Sequence, residues 1–211
     1  MARDWTRNRL KFFVAGPLFE AGDRVIPGHP HNRLAQLVAD HHPARVLELC
    51  GGTGYTARLL AARAPDTAID SVDISPEMLA VGRHQLARSG LRNVRMHEAD
   101  AAELPFADDT FDVAMSIFGL HELPTDTRRR ALDEVVRVLR PGGSIAAIDL
   151  DRPPSAQRVF NAYLRLTERP HARQVLGNGL ADELTLHGLT VTEHRPAPGW
   201  ARPFQIIQAH T

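Results

Sequence analysis

Short runs of β-branched and other apolar residues alternate along this chain with longer stretches whose apolar residues recur at helical spacing. Such alternation is typical of an α/β fold, in which helices cover both faces of a parallel sheet. The nearly continuous apolar run at residues 111–117 fits a strand that is buried on both sides. We therefore predict a doubly wound, mostly parallel sheet with strands at residues 45–49, 68–72, 94–97, 111–117, 144–150, 190–195 and 204–210.

Helix signals lie between these strands. Ser75 and Pro76 form a favourable helix start, because serine caps free N–H groups and proline loses no hydrogen bond there; Gly90 marks the end of that helix. Arg140-Pro141-Gly142-Gly143 is predicted to stop a later helix and turn into the fifth strand. Residues 1–30, irregular and rich in glycine and proline, are predicted to form a lid or cap, and residues 31–211 one domain. The predicted helices cover residues 31–42, 55–63, 76–89, 128–139, 156–168 and 179–187.

A glycine-rich turn follows the first predicted strand. The apolar run ends in Glu48, Cys50-Gly51-Gly52-Thr53-Gly54 follows, and a helical pattern begins at Tyr55. A strand that feeds a tight turn into a helix N-terminus builds a crevice where bare backbone can approach a ligand closely. The carboxylate of Glu48 suits a positively charged ligand there, whereas a pyrophosphate would require N–H groups and positive potential.

Further candidate residues follow the next strands. Ligands of an open parallel sheet bind beyond the carboxyl ends of the strands, where the strand order reverses. Asp73 comes about twenty residues after the glycine turn, where a carboxylate can accept hydrogen bonds from both hydroxyls of a ribose. Asp100 could contact an adenine amino group, and Ala101 the face of the ring. Each acid alone is also compatible with an ordinary helix start, but one acid after each successive strand favours a binding site.

A nicotinamide-dependent enzyme is an alternative that one sequence pattern supports and two other features oppose. Residues 52–57 fit the dinucleotide pattern G-x-G-x-x-A. The acidic Glu48 disfavours a pyrophosphate, and the single lysine, Lys11, lies far from the predicted crevice. A phosphate-binding loop lysine, a Schiff-base lysine and a Tyr-x-x-x-Lys pair are therefore absent from the domain interior.

The composition sets further limits. A chain of 211 residues with 43% hydrophobic residues fits one domain with one sizeable core. The 25 basic residues balance 25 acidic ones, so no global field favours nucleic acid or an anionic membrane, and Arg128-Arg129-Arg130 is interpreted as a solvated helix start. No segment has the character of a transmembrane span or a secretory signal. One cysteine excludes an internal disulfide and indicates a cytoplasmic location.

No metal site is predicted. The histidines nearest to one another along the chain lack the cysteine or carboxylate partners of a usual zinc site, and we interpret them as solvated loop residues. They are His29, His31, His41 and His42.

Taken together, the motifs resemble those of class I S-adenosylmethionine-dependent methyltransferases. The similarity runs in unbroken order through residues 46–54, 72–79, 99–106, 111–113 and 138–143. Within that superfamily, residues 51–54 and 116–120 are most similar to the ubiquinone/menaquinone-biosynthesis C-methyltransferase group. The resemblance implies a seven-stranded sheet whose last strand is antiparallel, with S-adenosylmethionine as the cofactor and S-adenosylhomocysteine as the product.

The resemblance also assigns binding roles to individual residues. It places Glu48 near the methionine ammonium and Asp73 on the ribose, with Ile117 closing the site from the fourth strand. Cys50 departs from the pattern, because many members of the superfamily have their first glycine there and the quinone group often has alanine. The remaining implied contacts are Gly52, Thr53 and Gly54 at the methionine end, Ile74 and Met78 against the adenine, and Asp100 and Ala101 at the adenine edge.

His121 is the candidate catalytic residue, since an imidazole that titrates near neutral pH could remove a proton from a phenolic or enolic acceptor. The alternative is that His121 only packs or caps the loop. Glu122 could orient His121 or be solvated, and we favour the second interpretation. The quinone group typically has arginine and asparagine at these two positions. We expect a small-molecule methyl acceptor: a quinone-like ring methylated at carbon, or another metabolite methylated at oxygen or nitrogen. A homodimer and a non-catalytic cofactor-binding protein remain further possibilities.

Overall fold

The computed structural model describes residues 29–151, 170–197 and 204–211. Seven strands in these ranges form one sheet: β1 (Arg45–Leu49), β2 (Ala68–Asp73), β3 (Val94–Glu98), β4 (Phe111–Ile117), β5 (Leu139–Leu150), β6 (Thr190–Ala197) and β7 (Phe204–His210). Their order across the sheet is β3-β2-β1-β4-β5-β7-β6. The chain therefore starts in the middle of the sheet, winds outward through β2 and β3, and returns to continue on the other side of β1.

The strand directions confirm the predicted fold class. The pairs β1–β2, β2–β3, β1–β4 and β4–β5 are parallel, whereas β7 runs antiparallel to both β5 and β6. The strand order reverses between β1 and β4, so the crevice beyond their carboxyl ends is the expected ligand position of a doubly wound sheet. The glycine turn (residues 50–54) begins at this point.

Helices cover both faces of the sheet. They are α1 (Pro30–Ala39), α2 (Tyr55–Arg63), α3 (Pro76–Ser89), α4 (Thr125–Val138) and α5 (Gly179–Leu186), with short 3-10 helices at Leu120–Glu122 and Pro170–Val175. One apolar cluster joins one face of the sheet to α1 and α2, and the other joins the opposite face to α4 and α5. Within the described ranges, none of the helices has the length and hydropathy of a bilayer-spanning segment.

Local sequence explains the elements that shape the crevice. Ser75 caps α3 by accepting a hydrogen bond from the Met78 N–H at 3.3 Å, Pro76 occupies the first turn, and Gly90 ends the helix at a φ of 74°. In β1, all residues except Arg45 are buried, which includes the acidic Glu48. The bounds predicted for β1, β4, β7, α2 and α3 are confirmed residue for residue.

Most of the other bounds differ from the prediction by one or two residues, α1 ends at Ala39 rather than at residue 42, and two elements start at least three residues earlier than predicted. Helix α4 begins at Thr125 rather than at residue 128, because Pro124 provides the entry to the helix. Strand β5 begins at Leu139, which already has extended backbone and pairs with Phe111 across a register shift. Arg140-Pro141-Gly142-Gly143 therefore lies in an irregular stretch of the strand and does not form a separate turn. The predicted helix at 156–168 and all but the last two residues of the predicted lid at 1–30 lie outside the described residues, and Pro30 already begins α1.

Candidate functional site

The glycine turn places bare backbone at the carboxyl end of β1. Cys50, Gly52 and Gly54 all have positive φ angles, of 52°, 57° and 65°. The Gly51 N–H donates to the Val72 carbonyl at 3.0 Å, and the Gly54 N–H donates to the Gly51 carbonyl at 2.8 Å. The turn is thereby fixed to β2 on one side and closed on itself on the other. A left-handed backbone costs little at glycine, so Cys50 is the one residue of the three that carries strain.

Glu48 lies directly beneath this turn and is 1% exposed. Ser71 Oγ donates a hydrogen bond to Glu48 Oε2 at 2.5 Å, and the Ala57 N–H in the first turn of α2 donates to Oε1 at 3.2 Å. Burial raises the pKa of Glu48 to about 7, against the opposing effect of these hydrogen bonds. A β-carbon on Gly51 would lie 2.5 Å from Glu48 Oε2, so glycine is required between this acid and the crevice.

Asp73 joins the glycine turn to the end of β2. Its Oδ2 accepts a hydrogen bond from the Gly52 N–H at 2.8 Å, and its Oδ1 accepts one from the Ser75 N–H at 2.8 Å. Burial raises the pKa of Asp73, and these backbone hydrogen bonds oppose that effect. The neighbouring Ile74 is 43% exposed, which makes it one of two large apolar side chains exposed among the described residues. An exposed isoleucine next to a fixed carboxylate provides an apolar surface beside a polar anchor.

The end of β3 comes close to the end of β2, as the sequence predicted. The Ala99 N–H donates to the Asp73 carbonyl at 3.1 Å, and Asp100 Oδ1 accepts a hydrogen bond from the Ala102 N–H at 2.9 Å. Ala101 is 6% exposed and packs in the core. Met78 approaches from α3, since a β-carbon on Gly52 would lie 3.0 Å from its methyl group. The structure thus gathers the predicted adenine and ribose residues around the glycine turn.

Cys50 lies among carboxylates from several strand ends. Burial raises the pKa of its thiol well above the usual range, and so do Asp73, Asp149, Asp100 and Glu122. The thiol therefore stays protonated and is unsuited to act as a nucleophile. The four acids make the crevice attractive to a cation.

Gly119 explains how the crevice accommodates a cysteine at position 50. A β-carbon on Gly119 would lie 2.5 Å from Cys50 Cβ and 3.3 Å from Cys50 Sγ. The loop after β4 can follow the turn after β1 this closely only because Gly119 has no side chain. The departure from the family pattern at Cys50 is thus matched by a glycine on the facing loop.

His121 is buried next to the same crevice and is paired with an acid that the sequence analysis missed. Its Nδ1 lies 2.5 Å from Asp149 Oδ1, and its backbone N–H donates to Asp149 Oδ2 at 3.2 Å. Its Nε2 lies 3.7 Å from Glu122 Oε1, and the Glu122 side chain is 19% exposed, so the interpretation of Glu122 as solvated is wrong. Asp149 lies in the apolar run that ends β5. An acid within a strand that is otherwise apolar could have identified Asp149 from the sequence.

The remaining predicted contacts lie within the turn or beside it. Thr53 is 5% exposed and its carbonyl accepts a hydrogen bond from Arg58, while Gly54 is the N-cap of α2. Ile117, at the end of β4, packs in the cluster that faces α1 and α2. Contact of these three residues with a ligand stays a prediction, as it does for the other predicted site residues.

Two residues that the sequence analysis interpreted as solvated, Arg128 and His31, have partners within the fold. Arg128 is fully buried rather than solvated, because its guanidinium donates to Glu183 at 2.6 and 2.8 Å and to the Leu123 carbonyl at 3.1 Å. The interpretation of His31 as a solvated loop residue is also wrong, because His31 lies within α1 and its Nδ1 lies 2.8 Å from Thr56 Oγ1. In the part of the chain that the structure describes, no three metal-binding side chains form a group that could hold a metal ion.

Comparison with known proteins decides the family. The family model for a methyltransferase domain matches residues 46–143. A demethylmenaquinone methyltransferase from Listeria monocytogenes is 34% identical over 166 residues, which are 77% of this chain and 67% of that protein. The chain belongs to the S-adenosylmethionine-dependent methyltransferases. A demethylmenaquinone methyltransferase from Thermus thermophilus is 38% identical over 135 residues, 63% of this methyltransferase and 60% of the relative.

Solved structures show the same fold at lower identity. An S-adenosylmethionine-dependent methyltransferase from Aquifex aeolicus has a TM-score of 0.65 and 20% identity, covering 83% of this methyltransferase and 88% of that chain. The [4+2]-cyclase SpnF has a TM-score of 0.70 and 21% identity, covering 85% and 80%. These likenesses show the fold alone. The relatives together favour methyl transfer over the nicotinamide alternative that residues 52–57 had suggested.

The residues of the crevice fit S-adenosylmethionine chemically. The cofactor carries an ammonium and a sulfonium, and the four carboxylates around Cys50 provide the complementary charge. The fixed carboxylate of Asp73 beside the exposed Ile74 suits a ribose that carries a flat adenine. When bound, S-adenosylmethionine supplies an electrophilic methyl group, whose bond to sulfur breaks with the electron pair left on S-adenosylhomocysteine.

Proposed function

We propose that this methyltransferase methylates a ring carbon of a reduced, quinone-like small molecule, with His121 as the general base. Two observations support the proposal. The demethylmenaquinone methyltransferases from Listeria and Thermus are 34% and 38% identical to this chain. His121 lies buried at the end of β4, in the loop that contacts Cys50 through Gly119.

The cofactor contacts implied by the sequence form part of the proposal. Asp73 would hold the ribose, Ile74 and Met78 would pack on the adenine, and Asp100 and Ala101 would contact its edge. Glu48 lies under Gly51, so its charge would act on the methionine ammonium through the thin glycine backbone. Gly52, Thr53 and Gly54 would line the methionine end, with Ile117 closing the site.

A buried base meets the chemical need of this acceptor. A hydroquinone carbon becomes strongly nucleophilic once a ring hydroxyl loses its proton, because the oxyanion pushes electron density into the ring. His121 would take that proton, and the oxygen would keep the electron pair. After the carbon–carbon bond has formed, the ring hydrogen on that carbon leaves as a proton, the aromatic ring is restored as an oxyanion, and the oxygen takes back the proton that His121 had removed. One proton is released for each methyl group transferred.

Product analysis with a matched pair of acceptors tests the proposal. The enzyme is incubated with labelled S-adenosylmethionine and a chemically reduced prenylated naphthoquinone that has a hydrogen at the ring position next to the prenyl chain. We expect the label on that ring carbon, as located by fragmentation in mass spectrometry. The same quinol with a methyl group already at that position should gain no label.

The product also distinguishes the alternatives. Label on oxygen or on nitrogen of either acceptor, or labelling of both acceptors alike, would contradict carbon methylation. Binding of S-adenosylhomocysteine without methyl transfer to quinols or to a metabolite extract would indicate a non-catalytic binding protein. The cytoplasmic location, the possible homodimer and the lack of nucleic-acid binding stay predictions from the sequence.

A further inference from the structure

Asp149 holds His121 through two separate hydrogen bonds. Its Oδ1 lies 2.5 Å from His121 Nδ1, and its Oδ2 accepts the His121 backbone N–H at 3.2 Å. The Leu150 N–H also donates to Asp149 Oδ1, at 2.7 Å. Both residues are almost fully buried, with side-chain exposures of 3% and 2%. The pair therefore fixes both the backbone and the ring of His121.

These contacts favour a proton on Nδ1 of His121. An ionised carboxylate only accepts hydrogen bonds, and two backbone N–H groups already donate to Asp149. A donor at Nδ1 of His121 completes this arrangement, because the other two groups bonded to the Asp149 oxygens are also N–H donors. In a neutral imidazole with a proton on Nδ1, the other nitrogen is the one that can accept a proton.

We infer that Asp149 is a positioning residue that keeps His121 in the Nδ1–H form, so that Nε2 is the nitrogen that takes the acceptor proton. The inference rests on the proposed role of His121 as the base. In the step, the O–H bond of the acceptor breaks, its electron pair stays on oxygen, and a new N–H bond forms at Nε2. After methyl transfer, loss of the ring hydrogen regenerates the oxyanion, and the imidazolium returns its proton to that oxygen, which completes the cycle.

The surroundings of His121 stabilise the imidazolium that this step creates. Asp149 faces Nδ1 from β5, and Glu122 Oε1 lies 3.7 Å from Nε2 on the same 3-10 helix as His121. The protonated thiol of Cys50 faces the loop from the glycine turn. His171 contacts the Glu122 carbonyl from the facing 3-10 helix at 3.1 Å. Two carboxylates thus flank one imidazole inside a buried loop.

The molecule contains a second histidine–carboxylate pair that serves as a control. His97 Nε2 lies 2.8 Å from Asp70 Oδ1, and Asp70 also binds Arg45 at 2.9 Å. This pair lies between β2 and β3, and neither residue belongs to the proposed site. Asp70→Asn therefore changes a buried histidine partner without changing the candidate base.

Nitrogen-15 NMR of the imidazoles in the whole 211-residue chain tests the inference without any acceptor. At a pH where His121 is neutral, the wild type should show the proton on Nδ1 of His121. Asp149→Asn should shift His121 toward the Nε2–H form, whereas Asp70→Asn should leave His121 unchanged. An Nε2–H form in the wild type, or no change in Asp149→Asn, would overturn the inference. The wild-type spectrum decides the question even where a variant folds poorly.

Kinetics then separate positioning from binding. Asp149→Asn should lower kcat by about 100-fold, while the KM for S-adenosylmethionine changes by less than about twofold. Asp70→Asn should retain the wild-type kcat. If Asp149→Asn instead raised KM by about 100-fold and left kcat unchanged, the result would contradict a positioning role. If the wild type methylates another acceptor instead of quinols, the proposed substrate is wrong, but both measurements still test Asp149.

Discussion

At the scale of single residues, the most unusual feature is a buried acid under the glycine turn. Glu48 accepts hydrogen bonds from Ser71 and Ala57, yet burial still raises the pKa of its carboxyl group to about 7. The folded protein therefore holds a proton there that the unfolded chain releases at lower pH. A nearby cation would favour the ionised form of Glu48. The ionised carboxylate thus suits the expected ligand but lowers the stability of the folded protein without that ligand.

This conflict predicts a stabilising substitution. Because the folded pKa of Glu48 is raised, its contribution to stability is complete below the unfolded value of 4.5 and is lost as the pH rises through about 7. Glu48→Gln should therefore increase the free energy of unfolding at pH 8, relative to pH 5, by about 2 kcal/mol compared with wild type. Urea denaturation at the two pH values measures this difference.

The control for Glu48→Gln is an exposed acid. Glu103→Gln changes the same functional group at an exposed position and should give the same stability difference from wild type at both pH values. A pH-independent effect of Glu48→Gln would show that its carboxyl is not the group that titrates. The Glu48 variant should also bind S-adenosylmethionine more weakly than wild type, as calorimetry would measure.

The sequence could predict residues that follow strands, but not residues whose role depends on a contact across the sheet. Asp73 and Asp100 were found because acids after successive strands form a visible pattern. Asp149 was missed because its partner is 28 residues away on another element. Arg128 was misread for the same reason, since its partner Glu183 lies 55 residues further along the chain.

At the scale of elements, the close contact between the loop after β4 and the turn after β1 predicts a compensating pair of substitutions. Gly119→Ala places a β-carbon 2.5 Å from Cys50 Cβ, so the loop must move and cofactor affinity should fall by about tenfold or more. Cys50→Gly should restore much of that affinity in the double variant, because it removes the atoms in conflict. Titration with S-adenosylhomocysteine measures all four members of this cycle.

A purely additive result would contradict this account of the contact. If Cys50→Gly has the same effect with and without Gly119→Ala, the two positions do not interact. Ser116 Oγ lies 3.2 Å from the same added β-carbon, so the rescue is expected to be incomplete.

The ion pair between α4 and α5 gives a second prediction at this scale. Arg128 is fully buried and hydrogen-bonded to Glu183 and Gln174. Arg128→Ala should therefore lower the free energy of unfolding by about 3 kcal/mol, because both residues lose their charged partner. The adjacent Arg129 is exposed, and Arg129→Ala should change stability by less than about 0.5 kcal/mol. Thermal and urea denaturation compare the two variants, and equal effects would contradict the burial of this pair.

Element bounds were predictable where capping residues marked them. Helix α3 has Ser75, Pro76 and Gly90 at its ends, and its predicted bounds are confirmed. Helix α4 and strand β5 meet with no intervening loop, so the glycines at 142 and 143 indicated a turn where the strand continues. A register shift between β4 and β5 absorbs this irregular stretch, and such a pairing between distant segments has no local signal.

At the scale of the whole molecule, the alternation of strands and helices was enough to predict the fold class. Only β7 reverses direction in the sheet, and that detail came from the resemblance to a family and not from the hydrophobic pattern. The sheet brings acids from distant parts of the chain to one edge, around Cys50. This convergence supports a crevice for a cationic cofactor, in which the Gly52 and Ser75 N–H groups hold the Asp73 carboxylate.

Calorimetric titration of S-adenosylhomocysteine into wild type, Asp73→Asn and Asp66→Asn tests this claim most directly. Asp73 is fixed by the Gly52 and Ser75 N–H groups at the crevice, whereas Asp66 is exposed before β2. We expect wild type and Asp66→Asn to bind alike and Asp73→Asn to bind at least about tenfold more weakly. Equal affinity in all three proteins, or binding of NAD with no response to S-adenosylhomocysteine, would contradict the account.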